Sequence, residues 1–104
     1  MSEISPRELQ DLRLHEPVVV IDVREPWEFE ICRIDGALPV PLAELPDRAG
    51  ELAADALTVV VCHHGMRSQA AAEYLRGLGF TRVLNLTGGI HRWSEDVNPA
   101  MPQY

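Results

Sequence analysis

The apolar positions fall into short β-branched runs separated by stretches with helical spacing. Val18-Val19-Val20-Ile21 and Leu57 to Val61 are continuous apolar runs, the pattern of strands buried on both faces of a parallel sheet. Val83-Leu84-Asn85-Leu86 predicts a third, shorter strand. Between these runs the spacing lengthens. Ser5-Pro6-Arg7-Glu8 has the form of a capping box with proline at the first helical position, and Leu9, Leu12 and Leu14 continue it as a short helix to about His15. Trp27, Phe29 and Ile31, set among Glu25, Glu28 and Glu30, predict one or two helical turns. Leu38 to Leu42 reads as extended, followed by a short helix around Leu42 to Leu45, a loop from Pro46 to Gly50 and a further helix over Glu51 to Ala54. Ala71, Leu75 and Leu78 mark one face of a helix ending near Gly77 or Gly79. Gly88-Gly89 leads into a last helix through Ile90, Trp93 and Val97, and residues 98–104 form a non-helical tail that packs over the body or frays. Trp27 and Trp93 read as core aromatics, His15 and His91 as solvent-side residues.

Strands alternating with helices predict an α/β domain with a mainly parallel sheet. Sites in such sheets form beyond the carboxyl ends of the strands. That rule gathers Asp22, Cys62 and the Gly88-Gly89 turn at one edge, although the strand order is not readable from the pattern. With 104 residues, the chain is expected to form one domain over residues 1–104, with no room for a second core. A net charge of −7 argues against nucleic acid or an anionic membrane surface as a partner. No apolar run approaches the ~20 residues of a membrane span. The N-terminal residues lack the basic and apolar regions of a signal peptide. With only Cys32 and Cys62, the chain has no disulfide framework, and a reducing cytoplasm is the expected compartment.

The densest chemistry lies at Cys62-His63-His64-Gly65-Met66-Arg67-Ser68, between the strand ending at Val61 and the helix formers that follow. A cysteine at such a bend faces free backbone N–H groups and the positive end of a helix, and Arg67 and the two histidines add charge nearby. Such surroundings favour a thiolate and lower a cysteine pKa from about 8.5. Cys62 is therefore the expected nucleophile. A cysteine there solely for packing would have no need of Gly65, Arg67 and two histidines beside it. A zinc site from Cys62, His63, His64 and His91 is the weaker reading, since no paired Cys-x-x-Cys or His-x-x-x-His spacing occurs.

The sequence resembles the rhodanese (thiosulfate sulfurtransferase) family in its single-domain form. Four motifs in order carry the resemblance: Asp22-Val23-Arg24-Glu25-Pro26 with Glu28-Phe29; Ile34, Gly36 and Ala37; Cys62 followed after four residues by Arg67; and Gly88-Gly89 followed by Trp93. The resemblance implies a central parallel sheet of about five strands flanked by helices and a ping-pong transfer of sulfane sulfur through a persulfide on Cys62. It needs no cofactor. A small sulfur-containing donor such as thiosulfate would supply the sulfur, and cyanide, a thiol or a sulfur-carrier protein would accept it. His63 to Ser68 would form the persulfide-binding loop, with Asp22 and Arg24 in support. An aspartate at a strand end facing the loop arginine would fix the loop, but the sequence leaves open which carboxylate pairs with Arg67. Cys32-Arg33 stands where the family usually has Gly-His, which raises a resolving or relay thiol against a structural cysteine. The alternatives are a non-catalytic rhodanese-like binding module and a cysteine phosphatase or arsenate reductase of the same fold. The latter sites place five residues between cysteine and arginine, a wider cradle than the four found here.

Overall fold

The computed structural model describes residues 2–104. Its elements in chain order are β1 (Glu3–Ile4), α1 (Pro6–Leu12), β2 (Val19–Asp22), α2 (Pro26–Ile31), β3 (Leu38–Pro39), α3 (Leu45–Arg48), β4 (Thr58–Val61), α4 (Met66–Gly77), β5 (Val83–Leu86) and α5 (Gly89–Asp96), with 3-10 turns at Leu42–Glu44 and Ala49–Glu51. The strands form one sheet in the order β1-β5-β4-β2-β3, and every pairing is parallel. The expected α/β architecture with a five-stranded parallel sheet is the one found.

Side-chain alternation along the strands divides the core in two. Val20, Val59, Val61 and Leu86 pack with Leu9 of α1 and Ile90 and Trp93 of α5. Ile21, Val60 and Cys62 point the other way, against Leu45 and Ala49 and against Ala71, Ala72 and Leu75 of α4. The helix after β4 therefore lies on one face and the helix after β5 on the other. Their first turns part at the carboxyl edge of the sheet, and a crevice at such a parting is where α/β sheets hold their sites.

Several local expectations change in the folded chain. β1 has only two residues and no sequence pattern. It exists because Asn85 and Thr87 N–H groups donate to the Ser2 and Ile4 carbonyls at 2.9 Å. Pro46 to Gly50 is mostly helical rather than loop, because burying Leu45 and Ala49 together requires a helical turn, and proline is tolerated at its start. No helix forms over Glu51 to Ala54 beyond the 3-10 turn. Leu78 is 51 % exposed, not part of the buried face. Gly79, at φ +100°, ends α4 with its N–H on the Arg76 carbonyl and the Phe80 N–H on the Leu75 carbonyl, so Phe80 takes the buried place. Trp93 is in the core as expected, but Trp27 is 57 % exposed, and the buried residue of α2 is Glu28. The capping box of α1 is present, with Glu8 N–H on Ser5 Oγ and Ser5 N–H on Glu8 Oε1.

Candidate active site

β4 delivers Cys62 to the bend immediately beyond Val61, and α4 begins after Gly65. Gly65 is the N-cap of α4 at φ +110°, a left-handed conformation that glycine adopts without a Cβ penalty. That turn brings its own N–H to within 3.0 Å of Cys62 Sγ. Ser68 Oγ, fully buried one turn into α4, stands 3.3 Å from the same sulfur. Helix geometry leaves the N–H groups of the first turn of α4 without carbonyl partners inside the helix. Cys62 itself is 1 % exposed. The sulfur thus sits at a helix N-terminus, facing the Gly65 N–H and with little contact with water.

The bend is held from outside by α5. Ile90 N–H donates to the Cys62 carbonyl at 2.8 Å and His91 N–H to the His63 carbonyl at 3.0 Å. Gly89, at φ +61°, permits this approach, because a Cβ there would collide with both carbonyl groups. Asn85 of β5 holds it from below. Its Nδ2 donates to the Gly65 carbonyl at 3.1 Å, which orients Oδ1 toward the Ser68 hydroxyl in a short hydrogen bond. The amide is thereby fixed, since reversing it would set two carbonyl oxygens against each other.

Two arginine–carboxylate pairs stand behind the loop, and they decide which carboxylate holds Arg67. Asp22 does not face Arg67. It binds Arg24, through Nε at 2.9 Å and Nη2 at 2.7 Å, with both residues 1 % exposed. Two residues apart at a strand end, they close on each other before Asp22 can reach α4. Arg24 also donates to the Cys32 carbonyl at 2.7 Å and the Glu28 carbonyl at 3.3 Å. Burial is the largest influence and opposes its charge, but the hydrogen bonds and charges of Asp22 and Tyr104 together outweigh it, hold it protonated and raise the pKa. Arg67 forms a two-pronged pair with Glu28, Nη1 to Oε1 at 2.7 Å and Nη2 to Oε2 at 2.9 Å. The Arg67 hydrogen bonds pull the Glu28 carboxyl down to about 2 against the cost of burial, so it is ionised at every working pH. Arg67, raised above its ordinary value by the same bonds, has its planar fork committed to Glu28 rather than open to a substrate.

The remaining loop residues divide. Met66 is 83 % exposed and turned to solvent. His63 is half-buried, its ring stacked at 4.1 Å on His64 and lying 4.3 Å from the ring of Tyr104. Burial, followed by the neighbouring His64, lowers the His63 pKa. His91, expected as a plain solvent-side residue, is partly exposed but belongs to this group, 5.2 Å from His64. Among the described residues no set of three or more His, Cys, Asp or Glu side chains is arranged to hold a metal ion. His15 is exposed, with its ring on the Asp11 carbonyl.

Three residues at this site were missed from sequence: Glu28, Asn85 and Tyr104. Glu28 reads from sequence as a helix position within the first family motif, with no role assigned to it, and Asn85 as a strand position. Tyr104 lay in a tail without pattern. The available signals were Asn85, a polar residue inside an otherwise apolar strand, and the place of Glu28 in the first family motif.

The rhodanese-like domain family matches residues 5–96. The chain belongs to this family. Among its relatives is a thiosulfate sulfurtransferase GlpE of Pseudomonas putida, 40 % identical over 90 residues, spanning 86 % of this chain and 82 % of that protein. The rhodanese fold is equally clear in solved structures. A rhodanese-related protein from Thermoplasma volcanium superposes with a TM-score of 0.86 at 33 % identity, covering 95 % of this chain and 96 % of the other. The human single-domain sulfurtransferase TSTD1 gives 0.84 at 26 % identity, covering 92 % and 97 %.

Proposed function

We propose that Cys62 of this rhodanese-type sulfurtransferase carries the transferred sulfur. The observation that supports it is the Gly65 N–H directed at Cys62 Sγ at the start of α4, whose first-turn N–H groups have no carbonyl partner inside the helix. The Cys62 thiolate attacks the outer sulfur of thiosulfate. A new S–S bond forms, the old one breaks, and sulfite leaves with the electron pair. Cys62 is left as a persulfide whose outer sulfur bears the charge. The free N–H groups of the α4 first turn stabilise that charge in place, as fixed dipoles that need no reorganisation. In the second half-reaction cyanide, a thiol or a sulfur-carrier protein attacks the outer sulfur and releases the thiolate. No external oxidant or reductant is needed, and no cofactor enters either step.

Asp22 and Arg24 act as support, fixing the Cys32 and Glu28 carbonyls behind the loop, while Arg67 fixes the first turn of α4 through Glu28. The four residues between Cys62 and Arg67 favour sulfur over a larger tetrahedral oxyanion, and the place of Cys62 at the N-terminus of α4, with the Gly65 N–H on its sulfur, favours chemistry over a purely binding role. No helix among the described residues is long and apolar enough to cross a membrane. A cytoplasmic setting fits the two unpaired cysteines, which are both free thiols.

Intact mass tests the reading. Incubation with thiosulfate adds one sulfur atom to the chain, and cyanide then removes it with formation of thiocyanate. A chain that stays at its starting mass under thiosulfate, or keeps the added sulfur after cyanide, overturns it.

A further inference from the structure

The segment after α5 returns to the Cys62 loop. Met101 is buried in the core beside Trp93, and Gln103 Nε2 donates to Ser94 Oγ at 2.6 Å, so the strap is tied down on both sides of Pro102. Tyr104 then reaches across the residues that hold the active-site bend. Its hydroxyl accepts from Arg24 Nη1 at 2.9 Å and donates to Glu28 Oε2 at 2.8 Å. Those directions are forced, since a guanidinium only donates and a carboxylate only accepts. Its ring lies 4.3 Å from the His63 ring and meets Trp27 edge-on at 5.5 Å.

One side chain therefore touches both supporting ion pairs and the residue next to the nucleophile. Arg24 is locked by Asp22 at the end of β2, and the carboxylate that receives the Tyr104 proton is the one that grips Arg67. Without the phenol, Glu28 Oε2 keeps only Arg67 as a partner, whereas Oε1 retains Arg67 and the Glu25 N–H. The carboxylate is then free to rotate about its better-held oxygen, and Arg67 follows it. The first turn of α4, whose N–H groups receive the transferred sulfur, moves with Arg67.

The geometry points to Tyr104 as a positioning residue for sulfur transfer, its hydroxyl setting the Glu28–Arg67 clamp and its ring setting His63. This rests on the assignment of Cys62 as the sulfur carrier. Burial pushes the phenol up to about 12, so the proton donated to Glu28 stays on the oxygen through the working range.

The test uses the full chain with Tyr104→Phe, Tyr104→Ala, Glu28→Gln and the Tyr104→Phe/Glu28→Gln pair, assayed with thiosulfate and cyanide. Tyr104→Phe keeps the ring and loses two hydrogen bonds, and is expected to lower kcat/KM roughly three- to tenfold. Tyr104→Ala also releases His63 and falls further. In the Glu28→Gln background, Tyr104→Phe should cost less than twofold, because the clamp it acts through is already impaired. An equal cost in both backgrounds, or a Tyr104→Phe enzyme with wild-type kcat/KM, overturns the proposal. Thermal melts establish that each variant is folded, and the conservative phenylalanine keeps the question answerable if the alanine variant unfolds. Sulfur loading of the wild-type chain, followed by mass in the same preparations, separates the two failures. A wild type that does not load sinks the Cys62 assignment, whereas one that loads beside an indifferent Tyr104→Phe sinks only the role of the strap.

Discussion

Cys62 and Cys32 are the same residue type, both buried, at opposite ends of helices. Cys62 precedes α4, where the peptide dipoles leave a partial positive charge, and its sulfur receives the Gly65 N–H at 3.0 Å and has the Ser68 hydroxyl at 3.3 Å. Cys32 caps the carboxyl end of α2, where the dipoles leave a partial negative charge, and its sulfur meets Arg24 Nη1 at 3.8 Å. Around Cys32 lie Ile4, Leu9, Val20 and Ile34. Arg24 grips its carbonyl at 2.7 Å, so the cationic group beside it holds the backbone more closely than the sulfur. Burial therefore does not distinguish the two cysteines of this chain. The sign of the helix end and the direction of the neighbouring N–H groups make the difference.

That comparison breaks most sharply at the sulfur atoms themselves. Cys62→Ser is expected to abolish thiosulfate:cyanide sulfurtransferase activity and the gain of one sulfur, because the hydroxyl neither forms a comparable anion nor a persulfide. Cys32→Ser places a hydroxyl in an apolar cluster and should cost about 1–2 kcal/mol of stability, read from urea unfolding. It should leave most of the turnover per folded molecule. A Cys32→Ser protein that is folded and as inactive as Cys62→Ser would replace this account with a two-cysteine relay.

A smaller effect tests how the surroundings of Cys62 are held. Arg67→Lys keeps the charge but replaces two parallel hydrogen bonds to Glu28 with one point contact. We expect kcat/KM to fall about tenfold with the melting temperature little changed, since Arg67 is partly exposed and anchors a loop rather than the core. If the lysine enzyme matches wild type at several thiosulfate concentrations, two-pronged anchoring is not what shapes the loop.

The legible and illegible parts of the chain differ in a physical way. β2, β4 and β5 announce themselves because strands buried on both faces must be apolar throughout, and the Cys62 bend is legible because its residue types suit one chemistry. The helix α2 misleads for the opposite reason. Its apolar residues Trp27 and Ile31 face outward and its charged Glu28 faces in, since the inward side meets Arg67 from α4 rather than apolar core. No periodicity in one segment reveals a partner 39 residues away. The two-residue strand β1 is set by strand order and the strap ending at Tyr104 by its side-chain contacts, neither of which the hydrophobic pattern contains. Asn85 is intermediate: a polar residue in an apolar strand announces a partner, but only the sheet shows that the partner is the Gly65–Ser68 loop.

The finest test concerns charge gained by the loop as pH falls. From sequence alone, His63 and His64 would gain charge near pH 6.5, improving thiosulfate affinity between about pH 7.5 and 6. The folded surroundings move that window for His63. Its ring is half-buried between His64 and Tyr104, with His91 and Arg24 adding like charge and Glu28 opposing them, and the balance lowers its pKa. His63 therefore stays neutral where a free imidazole would begin to charge. The part of the KM improvement that His63 carries should therefore begin at lower pH than a free imidazole would give. Stability runs the other way: the unfolded chain binds this proton more readily, so the His63 contribution is intact above about 6.5 and declines as pH drops below it. Glu28 does not confuse the measurement, because with a pKa of about 2 its clamp on Arg67 stays ionised across the range. Steady-state KM for thiosulfate from pH 7.5 to 5, in wild type and in a His63→Ala/His64→Ala variant, reads the effect, and added salt should weaken it. A KM trend that survives unchanged in the folded double variant assigns the charge elsewhere, and one that begins near pH 7.5 means the ring is more open to water than its stacking implies.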